Sequence, residues 1–202
     1  MAKENFPVIA LVGSAGGLDA ISRVLSGLPE TFDASVVVLI HQAPDRASSL
    51  VELLAARCPL PVAVADNDVR LETGRVLVIP PGTHLVIRPD SRGALIVSGA
   101  APPSRPSADL LLTTMATSLA ARAVAVVLSG HGHDGATGAT AIHELGGTVL
   151  ASDEASSEVF SMPKAAIDRD HAINQVAPVD EIAALLAALV LAPDLAPASD
   201  AG

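Results

Sequence analysis

Three side chains that could share an acyl-transfer reaction stand in three separate short segments. Ser14 lies in Leu11-Val12-Gly13-Ser14-Ala15-Gly16-Gly17, His41 in Ile40-His41-Gln42, and Asp134 in Ser129-Gly130-His131-Gly132-His133-Asp134-Gly135. Nucleophilic acyl transfer needs a hydroxyl, a base that takes its proton, and a carboxylate that orients the base. A serine at a strand-to-helix turn also sits among outward-pointing amides, which can hold an oxyanion. The order Ser, His, Asp differs from the common hydrolase orders, but geometry rather than order defines a triad.

Each residue also has a plain structural reading. Ser14 is as well suited to capping a helix as to attacking a carbonyl. His41 would serve as a half-buried, hydrogen-bonded histidine, and Asp134 as the cap of a helix beginning near Ala136. The first turn fails the dinucleotide pattern G-x-G-x-x-G, the P-loop pattern and the elbow G-x-S-x-G, where Val12 occupies the first glycine position. Phosphate binding at that turn remains physically open. His131, His133 and Asp134 invite a metal site, yet no further ligand follows at a recognisable spacing, so no metal is expected. Cys58 reads as a helix-end core residue; His84, His143 and His171 read as structural or surface residues.

The elements that would position these residues come from periodicity. Continuously apolar runs at 8–12, 35–40, 75–79, 123–128 and 147–151 read as strands covered on both faces. Helical patterns fall at 18–28, 46–58, 108–121, 136–146 and 179–191. The alternation predicts an α/β protein of three layers, doubly wound about a mainly parallel sheet. Residues 75–99 break it with three strand-like runs split by "PPGT" and "PDSRG", a hairpin or meander expected at the sheet edge. Residues 99–107 form a loop into the helix at Ala108, with Ser107 or Asp109 available to cap it. Ligands of such sheets bind beyond the carboxyl ends of the strands, where Ser14, His41 and Asp134 all fall.

Composition limits the function classes. The chain has 202 residues, half of them hydrophobic, enough for one sizeable core; residues 1–191 are expected to form one catalytic domain and 192–202 a flexible tail. Only 12 Lys and Arg face 22 Asp and Glu, and Trp and Tyr are absent, which argues against nucleic acid or anionic membrane as partners. No apolar run reaches the roughly 20 residues of a membrane span, so no membrane insertion is expected. A lone cysteine and no signal peptide point to the cytoplasm.

Six ordered motifs carry a resemblance: "GSAGGLDAI" (13–21), "IHQAPD" (40–45), "LETGRVLVIPPGTHL" (71–85), "RPSAD" (105–109), "LSGHGHDGATG" (128–138) and "VFSMPKAAI" (159–167). Over roughly residues 7–190 the chain resembles the catalytic domain of CheB-type chemotaxis protein-glutamate methylesterases. The resemblance implies that Ser14 is the nucleophile, His41 the base and Asp134 its orienter. It also implies that amides at Ala15, Gly16 and His131 serve the oxyanion, and that Arg105 lies near the site mouth. The implied reaction is hydrolysis of glutamate γ-methyl esters on methylated chemoreceptor helices, releasing methanol without metal or cofactor. Some members also deamidate receptor glutamines. The alternative is a catalytically quiet receptor- or partner-binding module of the same fold; a metal hydrolase using His131, His133 and Asp134 is a third reading.

Two positions depart from the family pattern. His131 stands where the family usually has Met, and Ser161-Met162-Pro163 stands for Gly-Met-Pro. Typical members also carry an N-terminal receiver domain. Met1 lies only a few residues before the first strand, so the expectation is a constitutively open site, or one regulated by a separate phosphorylated response-regulator protein.

Overall fold

A computed structural model describes residues 6–42, 49–97 and 105–191. The expected tail at 192–202, the start of the expected helix 46–58 and most of the loop 99–107 lie outside the described residues.

The main sheet contains β1 (Val8–Gly13), β2 (Ser35–Ile40), β3 (Val62–Val64), β5 (Arg75–Val78), β8 (Ala123–Val127), β9 (Thr148–Ser152) and β10 (Gln175–Ala177). Their order is β10-β9-β8-β1-β2-β5-β3, and every pairing is parallel. The chain winds from β1 outward through β2 and later returns to the opposite side at β8. Strand order therefore reverses beside β1, and the loops after β1 and β8 flank the crevice where open α/β sheets bind ligands.

Alternation along the strands builds two cores. Val8, Ala10 and Val12 of β1 face one layer, with Leu111, Leu112 and Met115 of α3 (Ala108–Leu119) and Ala139 and Ile142 of α4 (Ala136–Glu144). Ile9 and Leu11 face the other, with Ile21, Val24 and Leu25 of α1 (Gly17–Ser26) and Ile182 and Leu186 of α6 (Val179–Leu191). All six residues of β1 are buried, as the unbroken apolar run requires for a strand covered on both faces. Two shorter helices complete the layers: α2 (Leu50–Ala55) and α5 (Ser161–Ile167).

The expected hairpin is present as β6 (Thr83–Ile87) and β7 (Arg92–Val97), which join β4 (Val69–Arg70) in a small antiparallel sheet of their own, ordered β4-β7-β6. Asp68 accepts from both Arg88 and Arg92, tying the hairpin to the turn before β4. This sheet packs on α3. Ile87 N–H donates to Thr114 Oγ1 at 3.1 Å, and Ser118 Oγ donates to Ile87 O at 2.7 Å. The short strands β3, β4 and β10 gave no clear sequence signal, because two or three residues are too few to show a period.

Candidate active site

Ser14 and His41 are placed by strand register. Gly13 pairs with Ile40 across β1 and β2, so the next residues on each chain, Ser14 and His41, leave adjacent strand ends side by side. Neighbouring strands lie roughly 4.8 Å apart. The His41 N–H continues the ladder to Gly13 O at 3.1 Å. The turn is tight: Gly17 N–H donates to Ser14 O at 2.9 Å, and Gly16 takes a positive φ of 72°. A side chain at Gly16 would also meet Ser129 Oγ at 2.6 Å and Glu158 Cβ at 2.7 Å. Ser14 does not cap α1, whose N-cap is Gly16 with no side-chain bond. No hydrogen bond joins the Ser14 hydroxyl to the His41 ring in this structure.

The loop after β8 closes over the turn. Ser14 N–H donates to Ser129 O at 2.9 Å. A Cβ at Gly130 would lie 2.8 Å from Ser14 Cβ and 3.0 Å from Ser14 N, and would strike Met162 Sδ. Gly130 is thus pressed against the candidate nucleophile. Its N–H donates to Val159 O and its carbonyl accepts from Met162 N–H, each at 2.9 Å. Ser161 Oγ accepts from Gly132 N–H and donates to Gly132 O, each at 3.2 Å. The Ser161 departure therefore adds a clamp on this loop. The amides of Ala15, Gly16 and His131 have no backbone acceptor among the described residues.

Asp134 approaches from the same loop, but its carboxylate turns inward. Oδ2 accepts from His41 Nε2 at 2.9 Å and from Ala108 N–H at 2.7 Å; Oδ1 accepts from Asp109 N–H at 3.0 Å and from Ser107 Oγ at 3.2 Å. These donors, apart from His41, form the first turn of α3, where free amides and the helix dipole favour a carboxylate. Burial pushes the Asp134 carboxyl up; the His41 hydrogen bond and the Asp109 and Ala108 amides outweigh it and hold the group below the usual carboxylate range. An ionised acceptor puts the imidazole proton on Nε2 and leaves the Nδ1 lone pair able to accept a proton.

Asp134 is not the expected cap of α4. Asp134 caps α3, whereas the amides opening α4 go to Asp109, whose Oδ1 accepts from Gly135 N–H at 3.0 Å and Gly138 N–H at 2.8 Å. Each helix is capped by an acid from the start of the other. Gly138 permits the close approach, since a Cβ there would lie 2.5 Å from Leu112 Cβ. Ser107, the N-cap of α3, accepts weakly from Leu110 N–H at 3.4 Å.

Arg105 is half-buried, and its carbonyl accepts from Gln42 N–H at 3.3 Å, beside the His41 strand end. His131 and His133 are exposed while Asp134 is buried, and among the described residues no group of three His, Cys, Asp or Glu is placed to hold a metal. The metal reading gains no support from this donor set. Cys58 is half-buried and burial pushes its thiol up, away from the reactive thiolate. His84, expected to be structural or at the surface, is 2 % exposed and its Nδ1 accepts from Ser107 N–H at 2.9 Å. Sequence reading missed Ser129, Gly130 and the cross-capping role of Asp109. Only the recurrence of Gly and Asp around two helix starts hinted at them. A groove of about 540 Å³ opens beside the turn, lined by Gly16, Leu18, Asp19, Leu53, Arg57 and Glu158 among others.

Comparison with known proteins agrees with this fold. Residues 9–186 match the family model described as CheB methylesterase. The chain is 37 % identical over 181 residues to protein-glutamate methylesterase FrzG of Myxococcus xanthus, covering 90 % of this chain and 54 % of that protein. It is 40 % identical over 177 residues to protein-glutamate methylesterase/protein-glutamine glutaminase 2 of Anaeromyxobacter dehalogenans, covering 87 % and 51 %. The chain thus spans about half the length of the curated relatives it matches. The crystal structure of the Thermotoga maritima CheB methylesterase catalytic domain superposes with a TM-score of 0.85 at 29 % identity, covering 92 % of this chain and 99 % of that one.

Proposed function

The chain belongs to the CheB methylesterase family, and from that premise we propose that it is a serine hydrolase acting on glutamate γ-methyl esters of methylated chemoreceptor helices in the cytoplasm. Residues 1–191 would act as one catalytic domain. The observation that carries the reading is the 2.9 Å bond from His41 Nε2 to Asp134, made where β1–β2 register sets His41 beside Ser14.

The steps follow from the donors and acceptors present. His41 Nδ1 takes the proton of Ser14 as Oγ attacks the ester carbonyl. The carbonyl oxygen becomes an oxyanion facing the Ala15, Gly16 and His131 amides. Asp134 stabilises the imidazolium without taking its proton. Collapse breaks the bond to methoxide, which leaves as methanol with the proton from His41. Water then attacks the acyl-enzyme with His41 again as base, giving the glutamate carboxylate and free Ser14. A glutamine side chain would follow the same course with ammonia leaving, as the names of the relatives suggest. Bonds between nucleophile and base often tighten only with substrate bound, which suits the open Ser14–His41 arrangement. A receptor helix would seat in the groove beside Gly16, next to the turn.

Methanol release from methylated receptor should fall by about 10⁴-fold or more in Ser14→Ala. Release that is unchanged ends the triad reading; a wild-type chain with no release favours the quiet binding module. Adding a phosphorylated response-regulator protein tests regulation in trans, with a rise in rate as the supporting result.

A further inference from the structure

His84 takes no part in the hydrolytic steps, yet it is built into the polar cluster beneath them. It lies on β6 of the small sheet, 2 % exposed, with Nδ1 accepting the Ser107 N–H at 2.9 Å. A ring nitrogen that accepts from an amide carries no proton, so the proton of the neutral imidazole sits on Nε2. That nitrogen is buried and has no hydrogen-bond partner among the described residues. Burial keeps the ring neutral by lowering its pKa; nearby Arg105 acts in the same direction and Asp134 against it. Leaving an N–H buried without an acceptor is costly, and an apolar side chain of similar size would avoid the cost. Packing alone does not account for a histidine here.

The residue it holds is the entry point of α3. Ser107 donates its hydroxyl to Asp134 Oδ1, and the next two amides along the chain, Ala108 and Asp109, donate to Oδ2 and Oδ1. The direction of all these donors depends on where the Ser107 backbone is fixed. We propose that His84 is a positioning residue: by accepting the Ser107 N–H through Nδ1, it sets the first turn of α3 and so orients the Asp134 carboxylate that holds His41. The inference rests on the serine-hydrolase reading for its effect on turnover.

The test compares His84→Asn, His84→Gln and His84→Leu with wild type. An asparagine places its carbonyl oxygen where Nδ1 stands, whereas glutamine carries its own one carbon further and leucine has none. Steady-state methanol release from methylated receptor gives kcat and KM. The low-field proton resonance of the His41–Asp134 bond, identified by its loss in Asp134→Ala, reports the geometry without turnover. Gln and Leu are expected to lower kcat by about 10- to 100-fold, as removal of supporting hydrogen bonds does in other sites, with KM changed by less than about twofold. Both should displace or broaden the low-field proton, and Asn should restore most of each signal.

A folded Gln or Leu variant with wild-type kcat and an unmoved resonance would overturn the proposal. So would an Asn variant no better than Gln. If Leu fails to fold, Gln carries the comparison. Failure of the serine reading would look different: methanol release surviving Ser14→Ala, or no release at all, while the resonance comparison still decides whether His84 orients Asp134.

Discussion

Two regions of the molecule bring their residues to the site by different physics. On the parallel sheet, Ser14 and His41 arrive by register: adjacent strands end together and the next residue on each is set beside the other. Asp134, in the loop after β8, arrives through helix ends, held by the first turn of α3; the small antiparallel sheet braces that turn at His84 and the later turns of the helix at Ile87. Register is enforced by every hydrogen bond of the ladder and by two cores, since a one-residue slip would turn each strand inside out. A carboxylate at a helix end depends on a few bonds. The Asp134 side should therefore be the easier of the two to disturb by single polar substitutions, and the Ser14 side should yield mainly to steric change.

Asp134→Ala is the harshest test of that contrast. It removes the acceptor for His41, two amides and a hydroxyl together, so kcat should fall about 10⁴-fold and stability by about 2–4 kcal/mol. Activity assays and denaturant unfolding measure the two losses separately, and retained activity would break the comparison. Gly130→Ala attacks the other side by volume alone. Its Cβ would intrude to 2.8 Å from that of Ser14. Stability should drop by about 1–3 kcal/mol and kcat by about 100-fold, because displacement of about 1 Å at the proposed nucleophile is felt at that scale.

Asp109→Ala separates capping from catalysis. It takes away the acceptor for Gly135 and Gly138 but leaves every bond to Asp134 formally available. A loss of about 1–2 kcal/mol is expected, read as a fall of roughly 2–8 °C in Tm, with kcat reduced less than about tenfold. A collapse of kcat as large as that of Asp134→Ala would show that the two caps act as one unit.

The pH dependence of stability bears on the same region. His84 has a folded-state pKa below its unfolded value, so the stability it contributes is present above the unfolded value of about 6.5 and is lost as pH falls towards the folded one. Asp134 behaves in the same sense but lower, losing its contribution as pH falls below about 3.9 and through its depressed value. Stability measured from pH 7 downward should therefore fall more steeply in wild type than in His84→Asn, by up to about 1.4 kcal/mol per pH unit. Parallel curves would remove the His84 contribution.

The smallest effect is expected at Ser161→Gly. The exposed hydroxyl clamps both polar groups of Gly132, so its loss should cost about 0.5–1 kcal/mol and a few-fold in kcat. No change in either would show that the Val159 and Met162 bonds suffice to hold the loop.

Much of this is legible in the amino-acid sequence. Unbroken aliphatic runs mark β1, β2, β5, β8 and β9 because a strand covered on both faces has no polar side to show. Helix α6 spans the residues its pattern predicts, and α1, α3 and α4 lie within a few residues of theirs. The family motifs single out Ser14, His41 and Asp134. Helix α2 ends at Ala55, short of the expected 58, and α5 has no counterpart among the expected helices, because a short helix offers too few turns for its period to stand out.

What the linear order could not supply is which partner each polar group finds. Asp134 precedes α4 in the chain and looks like its cap, yet it faces α3, because those two helices cross closely at Gly138 and exchange acids. His84 lies on a hairpin far along the sequence from the histidine it serves, and the sign of its importance, a buried ring with one filled and one empty nitrogen, exists only after folding. Sequence by itself determined the period of each element and the chemical types available at its end. Tertiary structure decided the pairings, since hydrogen bonds are short and directional and depend on where elements cross in space rather than on their separation along the chain.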